Sequence, residues 1–343
     1  MLISIFASVW AQNLWDELIL KNEIKILKEK YKSKNPRFVV FSYDCKNPFL
    51  KDEKVEYKEY FPIWIKNPLN IFKNIKNFFI FLLTIIKSDL IVIWGWWLFF
   101  DNEVWNKKNP LDLWIFRMKF FKFFLKRIYF FRVWLSIKRE NSFKKIQKIF
   151  SWKKDIIEVR DNYSLKVLQD LGIEKVGKKY DPVFFDNWWN IEDIINKKIS
   201  IKKIFKDFSL KNLKWIDFEN KKIWIAFRSG YLTKDPELEI LMIKEIIEFI
   251  QKKWWQVIFL PHSFSKQDIL SNDYKWMKLI SSKLKNIEIA WSMQETYDFY
   301  RNKKLDIVLA QRLHSIILSQ VYEIPFIGIS YSKKTSEILN ELK

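Results

Sequence analysis

The sequence predicts an α/β fold of two doubly wound, Rossmann-like domains facing a cleft. Three observations predict it. Short apolar runs without alternation, such as "LISIFAS" (2–8), "RFVVFSY" (37–43) and "LIVI" (90–93), read as parallel strands buried on both faces. Patterns with helical spacing separate them. The rhythm breaks once, over residues 187–214, and then resumes. With 343 residues, 49% of them hydrophobic, the chain can bury two cores.

The first domain is expected over 1–186. Strand "LISIFAS" leads to the helical "NLWDELILKNEIKILKEKY", whose Leu18, Leu20, Ile24, Ile26 and Leu27 form an apolar stripe. After "RFVVFSY", the helix "LNIFKNIKNFFIFLLTIIKS" delivers the chain to "DLIVI". The aromatic and basic "WIFRMKFFKFFLKRIYFFRVWL" (114–135) reads as a helix and then a strand from about residue 129. A core-packed helix with snorkelling lysines is the favoured reading there, ahead of an amphipathic helix on a membrane surface. "DIIEVRDNYSLKVLQDLGIEKVGKKYDPVF" (155–184) reads as strand, turn, helix and short strand.

Residues 187–214 are lysine-rich and read as a linker. The second domain, 215–343, alternates again. Its strands are "IWIAFRS", "QVIFLPHS", "IEIA", "DIVLA" and "PFIGISY", with helices between them and a last helix from Lys334. No internal repeat interrupts either half. Ligands of such sheets bind beyond the C-terminal ends of the strands.

Composition narrows the function classes. Lys and Arg exceed Asp and Glu to give a net charge of +21. That favours anionic partners, but the lysines are spread along the chain, so a nucleic-acid footprint is not expected. Cys45 is the single cysteine, which excludes an internal disulfide and a cysteine metal site. There is no HExxH, no CxxC and no GxxxxGK[ST], so neither a metal nor a cofactor is expected. "FFIFLLTII" (78–86) is too short to span a bilayer, and the N-terminus lacks a basic n-region. Both points favour the cytoplasm.

Glycine is scarce and tryptophan abundant. The chain has 5 Gly and 18 Trp. Ordinary usage predicts about 24 glycines, close to the two counts combined. The positions agree with the totals. Trp94, Trp96 and Trp97 follow a strand, and Trp15 opens a helix. Trp188 and Trp189 follow "DPVFFDN", and Trp254 and Trp255 fill a helix-to-strand junction where a glycine cap is usual. Indole side chains have no tolerance for positive φ to offer there. Most of these tryptophans are therefore expected to be glycine codons read under another table, since UGA means Gly in some bacterial lineages and Trp in a common alternative code. "IVIWGWWLFFDN" (91–102) then becomes a strand and a glycine-rich loop.

The candidate chemistry lies at strand ends. His262 and His314 are the two histidines, in "FLPHS" and "AQRLHS". Arg228 ends "IAFR", and Arg312 stands at a predicted helix N-terminus, two residues before His314. Arginines at a helix N-terminus suit phosphate or carboxylate, and a histidine beside them can act as general acid. Asp16 at the first strand–helix turn, Gly95 and Asp101 around the loop, and Arg160 and Asp161 after a strand are further binding candidates. Asp16 also suits an acidic first helical turn.

In order along the chain, "AQNLWDE", "IVIWGWWLFFDN", "VRDNYSLKVLQDLGI", "YDPVF", "IAFR", "VIFLPHSFSKQD" and "LAQRLHSIILSQVYEIPFIGISYSKK" resemble the polysaccharide pyruvyl transferase family. The last segment is the most specific. The literal tryptophans are the departure, and they fall at the family's glycines. The resemblance implies a GT-B-like fold. It implies transfer of a pyruvyl group from phosphoenolpyruvate, as co-substrate, to a sugar of a cell-surface polysaccharide or its precursor, with a ketal formed and phosphate released. Arg228, Arg312, Leu313 and His314 match the positions the family uses around phosphoenolpyruvate, and Ser315 adjoins them. On that reading His314 is the acid or base, and Arg228 and Arg312 hold the anion. A lipid-linked acceptor would give the stretch 114–134 an inner membrane face to contact. The alternatives are a GT-B glycosyltransferase using a nucleotide sugar and, further off, a basic RNA-binding protein with steeply salt-dependent affinity.

Overall fold

The computed structural model describes residues 1–7, 13–42, 45, 49–61, 69–95, 99–101, 110–187, 199, 202–205, 222–227, 235–252, 256–264, 272–284 and 286–329. The chain divides into two compact units, Met1–Ala11 with Ile19–Pro182, and Gln12–Leu18 with Val183–Lys343. The short piece Gln12–Leu18 thus clusters with the second unit although it lies near the start of the sequence.

The first unit is built on strands β1 (Leu2–Ala7), β2 (Arg37–Ser42), β3 (Val55–Glu59), β4 (Leu90–Trp94), β6 (Ile128–Val133), β8 (Ile156–Val159) and β9 (Val176–Lys178). They form one parallel sheet in the order β3-β2-β1-β4-β6-β8-β9. Strands β1 and β4 sit at its centre, where the order reverses, and they are buried along almost their whole length. That explains their continuous Ile, Val and Leu runs. A small pair, β5 (Phe99–Phe100) with β7 (Leu135–Ser136), lies beside the sheet. Helices α1 (Leu14–Lys30), α2 (Leu69–Lys87), α3 (Pro110–Phe123), α4 (Glu140–Phe150) and α5 (Asn162–Asp170) complete the alternation. The core gathers Phe6, Phe41, Phe81 and Phe121 around the middle strands.

The second unit has strands β10 (Lys202–Phe205), β11 (Ile223–Ala226), β12 (Val257–Phe259), β13 (Ile287–Ile289), β14 (Ile307–Ala310) and β15 (Phe326–Ile329). They too are parallel, in the order β10-β15-β14-β11-β12-β13. Strand β10 falls inside 187–214, so part of the stretch read as a linker is an edge strand of this sheet. Helices α6 (Pro236–Gln251), α7 (Asp273–Ser281), α8 (Met293–Arg301) and α9 (Leu313–Val321) connect the strands. Three of them start on side-chain caps: Asp235, Asn272 and Ser292 each accept from backbone N–H groups of the first turn. Helix α9 differs. Its N-cap is Arg312, which offers no acceptor to the first turn. The expected last helix, from Lys334, lies outside the described residues.

Candidate active site

In the second sheet the strand order reverses between β11 and β14. Ligands of doubly wound sheets lie at such a reversal. The two strands are locked there in register, Ala226 opposite Ala310, and the carbonyl of Ala226 accepts from the backbone N–H of Gln311 (3.0 Å) and of Arg312 (3.1 Å). The chain leaving β14 therefore turns straight into α9. This presents Arg312, Leu313, His314 and Ser315 at the helix N-terminus, where the first N–H groups have no partner within the helix and the dipole favours an anion. Leu313 is buried, so the group it could offer a ligand is its backbone N–H rather than its side chain. Arg228 follows β11 two positions after Ala226 and lies outside the described residues.

Arg312 is held from behind. One edge of its guanidinium pairs with Asp273, the fully buried first residue of α7. The other Asp273 oxygen accepts from the backbone N–H groups of His262 and Ser263, at 3.1 Å each. One carboxylate thus ties the end of β12 to Arg312. The Nε of Arg312 is buried without a hydrogen-bond partner among the described residues, so the guanidinium keeps a donor in reserve. Asp273 was not legible from the sequence, where it reads as an acidic first-turn residue.

His262 is fully buried behind the same loop. Its Nδ1 lies 2.9 Å from the carbonyl of Leu260 and its Nε2 3.4 Å from the hydroxyl of Tyr300, which in turn is 2.5 Å from the hydroxyl of Ser315. Burial, and then the Arg312 charge, lower the His262 pKa to about 4 against the pull of Asp273. A neutral ring that donates from Nδ1 to Leu260 accepts from Tyr300 at Nε2. His262 is therefore an acceptor in a buried chain that ends on Ser315, and not a cation. Burial likewise pushes Tyr300 upward, so its hydroxyl stays protonated.

His314 is half-buried on α9. One face of its ring is covered by the indole of Trp15. Trp15 is brought there by two links between the Gln12–Leu18 piece and the loop after β12: a bridge from Asn13 to Ser263, and a bond from the N–H of Leu14 to the carbonyl of His262 (3.0 Å). Asn13 caps α1 by accepting from Trp15 N–H, and it donates to Asp16 at 3.1 Å. Asp16 is buried, with Glu17, in the first turn of α1.

The other sequence candidates belong to the first unit, at the C-terminal ends of its strands. Gly95 follows β4 with φ 144, a conformation side chains rarely adopt. The neighbouring residues 96–98 lie outside the described residues, as do Trp188, Trp189, Trp254 and Trp255. Asp101 accepts from the backbone N–H groups of Lys138 and Arg139, three contacts of 2.7 to 3.1 Å. Arg160 pairs with the buried Asp181 at 2.9 Å, and Asp161 caps α5 by accepting from the N–H and hydroxyl of Ser164. Asp101 and Asp161 thus have structural work to do. Among the described residues no group of three or more His, Cys, Asp and Glu could hold a metal ion, and no helix is long and apolar enough to cross a membrane.

A family model described as polysaccharide pyruvyl transferase matches residues 16–333. The chain belongs to that family. Among curated proteins no sequence matches. Solved structures are similar at the level of the fold. The UDP-GlcNAc 2-epimerase of Methanocaldococcus jannaschii aligns over 100% of this chain and 90% of its own, with a TM-score of 0.51 and 12% identity. The ADP-heptose lps heptosyltransferase II of E. coli aligns over 100% and 97%, with a TM-score of 0.42 and 10% identity. The two doubly wound parallel sheets, together with the epimerase match, make the fold GT-B-like, with two Rossmann-like units, and this member of the pyruvyl transferase family carries its "RLH" segment at the reversal point of the second sheet.

Proposed function

We propose that the protein transfers the pyruvyl group of phosphoenolpyruvate to a saccharide, forming a ketal. The observation that carries the reading is Arg312 and His314 side by side at the uncapped N-terminus of α9, in a chain of the pyruvyl transferase family. Phosphoenolpyruvate bears a phosphate and a carboxylate. Arg312, with its unused Nε donor, the first N–H groups of α9 and, from the sequence match, Arg228 supply the positive field for them.

The chemistry needs one proton delivered and two removed. His314 protonates the methylene carbon of the enol, which leaves an oxocarbenium-like C2. One sugar hydroxyl attacks C2 and loses its proton, to His314 acting now as base. The C2–O bond to phosphate then breaks and phosphate departs. A second hydroxyl closes the ketal and loses its own proton, which the departing phosphate takes up as hydrogen phosphate. Phosphate release from phosphoenolpyruvate that depends on the saccharide tests the reading. Release of a nucleoside diphosphate from a sugar nucleotide would instead support a glycosyltransferase.

We propose further that position 15 is glycine in the active protein. Trp15 covers the face of His314, and among the described residues its indole N–H is buried without a partner, as are those of Trp94, Trp224 and Trp276. A buried indole N–H normally finds an acceptor. Glycine at 15 removes the unpaired donor and opens the ring. Codon 15 in the source DNA tests this: UGA supports it and UGG opposes it.

A further inference from the structure

Helix α2 is built inside out. The residues it turns to the protein include Asn74, Asn77 and Thr84, beside Phe81 and Ile85. Those polar groups are satisfied there: Asn77 donates to Glu59 at 3.1 Å, and the Thr84 hydroxyl donates to the Ile80 carbonyl and accepts from Lys58. Outward it turns six apolar residues, Ile71, Phe72, Ile75, Phe79, Leu83 and Ile86, together with Lys73, Lys76 and Lys87. Phe72 is 75% exposed. The spacing of the apolar residues keeps them on one face over about four turns. A surface helix normally arranges its residues the other way round.

The apolar face continues onto α3. Phe78 of α2 packs edge-on against Phe120 of α3, with ring centroids 5.9 Å apart. Lys126, just past α3, donates to the carbonyls of Ile86 and Ser88 at the end of α2, which holds the two C-termini together. Beyond that junction Phe123 and Leu125 are 78% and 71% exposed. One apolar surface therefore spans both helices. Contiguous exposure of this kind marks a site of interaction.

The charges around it select the partner. Helix α2 carries Lys73, Lys76 and Lys87 and no acidic residue; Lys73 pairs with Glu59 of β3 at 2.8 Å, which leaves Lys76 and Lys87 as the cations of this helix for a partner. Lys119 and Arg127 add exposed cations on the α3 side. Aromatic and aliphatic residues that can enter the acyl boundary, rimmed by cations that can meet anionic headgroups, fit a bilayer surface. A second copy docked face to face would bring these like charges together. We infer that the face of α2 and the end of α3 is a peripheral membrane-docking surface for anionic lipid. Neither helix spans; both would lie in the interfacial plane. A lipid-linked saccharide would be met at this plane, but the inference itself does not depend on the reaction proposed above.

The test is co-sedimentation of the full chain with vesicles of phosphatidylcholine alone and of phosphatidylcholine mixed with phosphatidylglycerol. Binding is expected to the mixed vesicles and to weaken as salt is raised. Phe72→Ser/Phe79→Ser should weaken that binding by about tenfold or more. Because both side chains are exposed, the thermal midpoint and the phosphate release with a water-soluble acceptor should not change. Lys76→Glu/Lys119→Glu should remove the preference for the anionic vesicles. Absence of binding to either vesicle would overturn the inference. So would wild-type binding by the Phe double variant, or a dimer in sedimentation that this variant splits, which would make the face an interface between copies. Phosphoenolpyruvate takes no part in the vesicle measurement, so a failure of the proposed reaction leaves its outcome readable.

Discussion

The indole of Trp15 lies flat on the imidazole of His314, with ring centroids 3.3 Å apart and planes 9° from parallel. An imidazole exchanges its proton in the ring plane, so the indole leaves the ring nitrogens their direction but fills the space beside the ring that a substrate would occupy. Trp15→Gly is therefore expected to raise phosphoenolpyruvate turnover by about tenfold or more, because a proton donor must reach contact distance of the carbon it protonates. Steady-state phosphate release by the two chains measures it. Equal rates would mean that the indole does not obstruct His314.

Asp273 positions Arg312. Asp273→Asn keeps the shape and an acceptor for the N–H groups of His262 and Ser263, but removes the charge that holds the guanidinium. We expect the KM for phosphoenolpyruvate to rise about tenfold, with kcat changed less. Asp273→Ala should in addition lower stability by about 3 kcal/mol, since a buried partner of a cation is lost. Denaturant unfolding of both variants separates the two effects.

His262 makes stability depend on pH. Its pKa falls from 6.5 to about 4 on folding, so between these values the unfolded chain binds more protons than the folded one. Stability is then lost as pH falls through that window, by about 3 kcal/mol in all. Asp155, pushed up to about 7 by burial, contributes with the opposite sign over the same range. The comparison is therefore between the parent and His262→Gln: the variant should lose less stability on acidification from about pH 6.5 to about pH 4. Chemical denaturation across that range would show it.

Asp101 was a binding candidate in the sequence, and its carboxylate is bonded to the N–H groups of Lys138 and Arg139. Asp101→Ala should cost about 2 kcal/mol of stability through those unpaired donors. If Asp101 also binds the acceptor, the KM for the saccharide will rise; if its role is structural alone, the KM will stay.

The alternation of strands and helices was legible because parallel strands buried on both faces leave runs such as Leu90–Ile93 that nothing else explains. Arg312 and His314 were legible because a strand precedes them and the chain must turn there. Asp273 was not, since its link to Arg312 spans 39 residues and exists only in the fold. Strand β10 hid in a lysine-rich stretch because it is an edge strand, where short length and lysines are ordinary. The outward face of α2 hid for a different reason. "FFIFLLTII" shows that a helix is apolar, but periodicity does not say which side the sheet covers, and here the sheet covers Asn74, Asn77 and Thr84.

Pyruvyl transfer by His314 is tested most directly by saccharide-dependent phosphate release from phosphoenolpyruvate by the chain with glycine at 15, 94, 96 and 97, with and without His314→Ala. Release is expected from the first protein and its loss, by at least about a hundredfold, in the second, with the fold retained by circular dichroism. Release at the same rate without His314, or no release by the glycine protein with any acidic or neutral saccharide offered, would contradict pyruvyl transfer by His314.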